Sequence, residues 1–425
     1  MEENKWIIGG IDVRKKIKKN NAKIKYLSQG AYGCVFHPGF DCQGKIQSNK
    51  YITKLEVKKK SVIKEFDISE YIRKYIKNFN TMFAPILYYC PILVSKINKR
   101  SVEECDLIQT KDKLLYSTKI RFVGKKTLEP YLFSLLEEKK DVSFFNKQLF
   151  ETHIYLLNSI EKLIQNKIVH FDIKEDNIMY DNKQYLPIII DFGLSFRIDL
   201  LKSDLAYQNA FIVFAPTCTW WCLEISIISF VVCKEYYRYN DFFSNKKRKI
   251  SSSWMKDNID INHLLDIVDD YYDNNNNIIM ISNFWKKEVD ISRQKWKDYI
   301  TNTLYTKDKN NSGQYTKKTG EEIVKAFMQS WDTWDMFALS FLYLSFLQKL
   351  CMDCFKDYQD FLVKYILAFS SERVNISEYY QQLILFSEQY VDINFFDFDR
   401  DEYIKKTKIN RLLNDELEKN ISQKI

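Results

Sequence analysis

The sequence of 425 residues is poor in the residues that interrupt structure, with 10 glycines and 6 prolines. That scarcity excludes collagen-like and low-complexity chains. With 46% hydrophobic and 28% charged residues, it implies a packed globular core. A long hydrophobic run is also missing: the longest, residues 336–347, is too short for a bilayer span, which needs about 20 residues. The chain opens without a secretory pattern. Its nine cysteines are scattered, with a single CxxC at Cys351 and Cys354 and no second pair to complete a zinc site. Buried free thiols in a reducing, cytoplasmic compartment are therefore expected. The net charge of +8 is spread along the chain, and the basic clusters at 14–19, 58–60 and 246–249 do not alternate with aromatics. They read as solvated surface, with no nucleic-acid or membrane partner implied.

What is present centres on residues 168–195, IVHFDIKEDNIMYDNKQYLPIIIDFGLS. Asp172, Asn177 and Asp191 lie close together in an apolar frame. A strand-like piece, a polar turn and a second strand separate Asn177 from Asp191, so a hairpin folded about Gln184 brings those two side chains together at its open end. Two oxygen ligands on strand ends suit Mg²⁺, a hard cation that takes few protein ligands and completes its shell with phosphate oxygens. Asp172 and Lys174 bring an acid–base group and a cation to the same place. The chemistry implied is phosphoryl transfer.

The remaining elements follow in order. Residues 1–21 are polar and basic and read as a loosely attached arm. Alternation of Ala22, Ile24 and Tyr26 with lysines predicts a strand that breaks at Gly30 and Gly33 and resumes at Cys34-Val35-Phe36. A glycine-containing tip lets backbone N–H groups approach phosphate oxygens. Residues 51–55 predict a strand carrying Lys54. A helix from about Ser61 places Val62, Ile68, Ile72, Ile76 and Phe79 on one stripe, with Glu65 inside it and Glu70 on the other side. An inward carboxylate needs a cation, and Lys54 is the candidate. Strands at 86–94 and 114–123 precede a short helix at 128–136. A long helix then carries Leu149, His153, Leu156, Ile160 and Leu163 on one face, with His153 as a core residue. An apolar helix at 225–233 leads into residues 234–325, which are basic and rich in Asn and Tyr. These read as an inserted excursion, partly ordered at most, whose Asn274–Asn277 run carries no functional meaning. From Trp331 a helix apolar on nearly all sides marks the centre of a helical domain. Amphipathic helices and a charged tail close the sequence.

These motifs, in this order, resemble the eukaryotic-type protein kinase superfamily. Leu27-Ser28-Gln29-Gly30-Ala31-Tyr32-Gly33-Cys34-Val35 is similar to the glycine-rich loop, with Ser28 in place of the first glycine. Lys54 matches the third-strand lysine, and His170 to Asn177 the catalytic loop. Asp191-Phe192-Gly193 matches the metal-binding triplet at the family's usual interval. Residues 217–224 resemble the substrate-loop element, without its Ala-Pro, and 335–340 the start of the central helix of the large lobe. Kinases of large cytoplasmic DNA viruses share the cysteine-containing loop before YITKL, which suggests a viral source.

The resemblance implies an α+β, bilobal protein-kinase-like fold, with a β-rich N-lobe at 22–122, a helical C-lobe at 123–425 and the insertion at 234–325. It implies ATP and Mg²⁺ as cofactors and a serine/threonine hydroxyl on a protein as acceptor. Gly30, Gly33, Val35 and Lys54 hold the nucleotide, with Lys54 oriented by Glu65 or Glu70, and helical phase selects Glu65. Asn177 and Asp191 hold the metal, Asp172 and Lys174 act on the transfer, and Thr217 bridges those two. Phe171 stands where the family has the arginine that reads a phosphorylated activation segment, so activity independent of such phosphorylation is implied. A pseudokinase scaffold and a small-molecule kinase of related fold remain as alternatives.

Overall fold

The computed structural model describes residues 24–30, 33–97, 103–106, 114–137, 142–212, 214–232, 254–305, 315–350 and 355–391. The N-terminal arm, Ala31, Tyr32, the 246–249 cluster, Cys351, Cys354 and the charged tail lie outside them. The described residues fall into two compact units, one within 1–58 and 90–119, the other within 59–89 and 120–425.

The first unit is built on strands β1 (Lys25–Gln29), β2 (Gly33–His37), β3 (Tyr51–Glu56), β4 (Ile86–Leu93) and β5 (Leu114–Arg121), in the order β1-β2-β3-β5-β4. The last two strands cross the unit boundary along the chain at Cys90 and Lys119. Alternation along β2 buries Cys34 and Phe36 with Leu55, Ile92 and Leu115 in a small core. The cysteines depart from expectation. Cys34 is bonded to Cys105 and Cys42 to Cys90, so the free thiols expected of a reducing compartment are not found at these four positions. The partners lie 71 and 48 residues apart. Such long-range pairing leaves no signature in local spacing.

The second unit is mostly helical. Helix α1 (Lys59–Tyr75) buries Val62, Glu65, Ile68 and Ile72, the stripe its periodicity predicts. Past the short α2 (Phe79–Met82), Ala84 N donates to the Ile189 carbonyl and docks this end on the central hairpin. Helices α3 (Leu128–Glu137) and α4 (Val142–Gln165) follow. Two small antiparallel pairs come next, β6 (Ile168–Val169) with β9 (Phe196–Arg197) and β7 (Ile178–Asp181) with β8 (Leu186–Ile189). A short helix after β9, α5 (Asp204–Ala210), is capped by Ser203. Beyond it comes α6 (Leu223–Val232), buried at every position.

Within the segment 234–325, expected to be a partly ordered excursion, residues 254–305 are folded. They fold into α7 (Ile261–Asn274), α8 (Asn276–Ser282) and α9 (Lys286–Tyr299), and their Leu264, Ile267, Ile281 and Trp296 join the main core. The sequence hid this because Asn, Lys and Tyr on the exposed faces dominate the composition, while the buried residues still recur at helical steps. Helices α10 (Gly320–Phe327), α11 (Trp334–Leu350), α12 (Lys356–Leu367) and α13 (Ile376–Val391) complete the unit. Among the described residues no helix is long and apolar enough to cross a membrane.

His153 on α4 is fully buried, stacked on Tyr343 and hydrogen-bonded to Tyr358. Burial lowers its pKa from 6.5 to about 3. The fold holds the ring neutral while the unfolded chain protonates near 6.5, so this residue destabilises the fold increasingly as pH falls below 6.5. Denaturant titrations at pH 7 and pH 5 should show the stability difference between His153→Phe and wild type moving in the variant's favour by about 2 kcal/mol at the lower pH. A pH-independent difference would show that the ring is solvated.

Candidate active site

The site in the second unit is assembled on one buried carboxylate. Asp335, in the first turn of α11, accepts from His170 N at 2.7 Å and from Phe171 N at 2.9 Å. Burial raises its pKa to about 6 against the lowering effect of those two donors. The His170 carbonyl accepts from Ser195 Oγ at 3.0 Å, and the His170 ring is hydrogen-bonded to the Ile190 carbonyl at 3.1 Å. Burial takes that imidazole down to about 4, so it is neutral at physiological pH. Phe192 packs edge-on against His170 and Phe83. The segments before Asp172 and around Asp191 are thus fixed to each other through His170.

Asp172 Oδ2 accepts from Asn177 Nδ2 at 2.7 Å and lies 3.0 Å from Lys174 Nζ. Burial raises the pKa of Asp172, with the nearby Lys174 opposing. Thr217 was expected to bridge Asp172 and Lys174, but among the described residues its side chain makes no hydrogen bond to either. Asn177 Nδ2 also donates to the Asp172 carbonyl at 2.8 Å, which turns the amide oxygen away from that contact. The hairpin register differs by one residue from the expected one. Ile178 pairs with Ile189, and Ile190 N donates to the Asn177 carbonyl at 2.9 Å. Asp191 therefore follows the strand end in a left-handed conformation, φ 60°, with Gly193 N donating to its Oδ1 at 3.2 Å.

Glu65 is 2% exposed on α1, whereas Glu70 is exposed and lies 3.8 Å from Arg73. A Cβ at Gly193 would stand 3.1 Å from Asp191 Oδ1 and 3.6 Å from Glu65 Oε2, so Glu65 reaches the triplet. Next to it, Lys64 Nζ donates to the carbonyls of Leu194 at 3.4 Å and Asn209 at 3.3 Å, and burial lowers its pKa to about 8. The sequence reading passed over Lys64, because a lysine at the edge of an apolar stripe looks solvent-facing. It also missed Arg373. This guanidinium, 2% exposed, pairs with the fully buried Glu224 at 2.7 Å and so anchors the first turn of α6.

Asn177 and Asp191 present an amide and a carboxylate oxygen. Among the described residues no three His, Cys, Asp or Glu side chains converge on a metal position. An amide oxygen and a carboxylate oxygen are hard donors, and Mg²⁺ that takes its further oxygens from a polyphosphate fits that donor set.

In the first unit Lys54 stands on β3 opposite Val35 on β2, so both side chains share a sheet face. Its Nζ lies 3.5 Å from Glu56 Oε1. Gly30, just after β1, and Gly33, the first residue of β2, differ. A Cβ at Gly33 would run into the Leu55 carbonyl, whereas at Gly30 its nearest neighbour among the described residues is 4.0 Å away.

No protein-family model matches the chain. Over 86 residues it is 33% identical to the probable inactive serine/threonine-protein kinase samkD of Dictyostelium discoideum, a stretch covering 20% of this chain and 16% of that protein. The kinase PK-1 of Cydia pomonella granulovirus matches with a TM-score of 0.27 and 17% identity, over 41% of this chain and 53% of that one. The chain resembles the protein kinases, and its small sheet-bearing part followed by a mostly helical remainder is the α+β arrangement expected of that resemblance.

Gly33→Ala should cost the first unit about 1–3 kcal/mol by forcing β2 from β3, and Gly30→Ala should be close to neutral. Thermal unfolding of the two variants checks this, and equal effects would contradict the difference in packing.

Proposed function

We propose that this protein-kinase-like chain transfers the γ-phosphoryl group of ATP to serine or threonine hydroxyls of a protein. The observation that carries the reading is the Asp172–Lys174–Asn177 cluster held beside Asp191 by a shared buried frame. In this reading the division into lobes at 22–122 and 123–425 is retained. Lys54, oriented by Glu65, holds the α- and β-phosphates, with Gly30, Gly33 and Val35 lining the nucleotide. Bound Mg·ATP supplies the phosphoryl group and the charge that neutralises it. Asn177 and Asp191 hold the cation. Asp172 accepts the proton of the attacking hydroxyl as its oxygen bonds to the γ-phosphorus and the bond to the bridging oxygen breaks, leaving ADP. Burial, by raising the Asp172 pKa, makes it a better proton acceptor. Lys174 balances charge at the transferred group.

The Phe171 ring packs against Phe196, Phe211 and Trp221. An apolar cluster thus occupies the place where a phosphate reader would act, which supports activity without phosphorylation of the segment from 195 to 221. A second reading, a silent binding module, is favoured by the description of the Dictyostelium protein as probable inactive. Against it, none of Lys54, Asp172, Asn177 and Asp191 is lost from the sequence.

Labelled-ATP transfer to casein or myelin basic protein tests both readings, with phosphoamino-acid analysis of the product. Wild type, untreated or phosphatase-treated, should label Ser and Thr equally well, and Lys54→Ala and Asp191→Ala should each lose about 100-fold or more. Equal residual signal in all three proteins would exclude catalysis. Loss of wild-type activity on phosphatase treatment would exclude the phosphorylation-independent form.

A further inference from the structure

The run Asn274–Asn277 looks like compositional noise in the sequence, yet two of its side chains hold the loop beside the catalytic carboxylate. Asn275 is fully buried at the junction of α7 and α8. Its Oδ1 accepts from Asn277 N at 3.1 Å and Ile278 N at 3.3 Å, capping α8. Its Nδ2 donates to the carbonyls of Cys218 at 3.2 Å and Pro216 at 3.4 Å. Asn277 Nδ2 donates to the Thr219 carbonyl at 3.0 Å. Two amide side chains thus supply donors to three carbonyls within four consecutive residues. An amide is suited to this, since one end caps a helix while the other grips a loop, and buried carbonyls without donors are costly.

That loop is next to the chemistry. Burial pushes the Cys218 thiol up to about 11, and the Asp172 carboxylate and the Lys174 ammonium both act on it. At its other end Trp221 Nε1 donates to the Phe171 carbonyl at 2.9 Å, tying residues 215–221 to the catalytic loop. The loop is therefore held from two sides, by the catalytic loop and by a segment that the resemblance to kinases does not cover.

We propose that Asn275 and Asn277 are positioning residues for acceptor binding: they set residues 216–219 as the platform on which the protein substrate places its hydroxyl near Asp172. This rests on the kinase reading and gives the 254–305 segment a part in acceptor recognition.

Asn275→Asp keeps the oxygen that caps α8 but turns an acceptor toward the Pro216 and Cys218 carbonyls. Asn277→Ala removes the bond to Thr219 alone. With casein as acceptor, each variant should raise the acceptor KM by about fivefold or more while the ATP KM stays within about twofold. A merely structural role would lower the active fraction, and hence kcat, with both KM values unmoved, and that result would overturn the proposal. If wild type transfers nothing, the kinase reading fails on its own. Amide hydrogen exchange of residues 214–222 then decides: faster exchange there in both variants, with α7 and α8 unchanged, supports the positioning role, and unchanged exchange refutes it.

Discussion

The buried Asp335 carboxylate is the contact on which the second unit's site depends. It accepts two consecutive backbone amides, from His170 and Phe171, where neither has a strand partner. Phe171 stands there at φ 70°, a left-handed conformation that costs a residue with a side chain about 1–3 kcal/mol. Three contacts offset that cost. Asp335 takes the Phe171 N–H, Trp221 Nε1 satisfies its carbonyl, and its ring is enclosed by Phe196, Phe211 and Trp221. The turn so fixed aims Asp172 out of the core and toward Lys174 and Asn177.

From this turn the order spreads along the chain. His170 reaches the Ile190 carbonyl and the Phe192 ring, which fixes the approach to Asp191. Lys64 ties α1 to Leu194 and Asn209 beyond the triplet. Arg373 neutralises Glu224 in the helical core, where either charge alone would be costly. Each contact joins segments far apart in sequence, so the site is a property of the whole helical unit.

That separation explains what the sequence could reveal. Glu65 was legible because its burial follows from the same periodicity that buries Val62, Ile68 and Ile72. The hairpin was legible from its apolar strands and polar turn, but its register was off by one. The turn is fastened by Asp181 Oδ1 accepting from Lys183 N, a local bond that the apolar pattern does not encode. Asn275, Lys64, Arg373 and the disulfide partners of Cys34 and Cys42 were not legible at all. Asn275 has a local role as the cap of α8, but its grip on Pro216 and Cys218, like the contacts of the others, is made with residues tens of positions away or more.

The central claim is that the Asp335 frame sets the geometry for transfer at Asp172. Steady-state kinetics of Asp335→Asn test it most directly, on protein shown to be folded by near-UV circular dichroism. One amide of the 170–171 pair then meets a donor in place of an acceptor. The account predicts a fall in kcat of about 100-fold, the scale of a 1 Å misplacement, with the ATP KM unchanged. A folded variant with kcat within about twofold of wild type would contradict it.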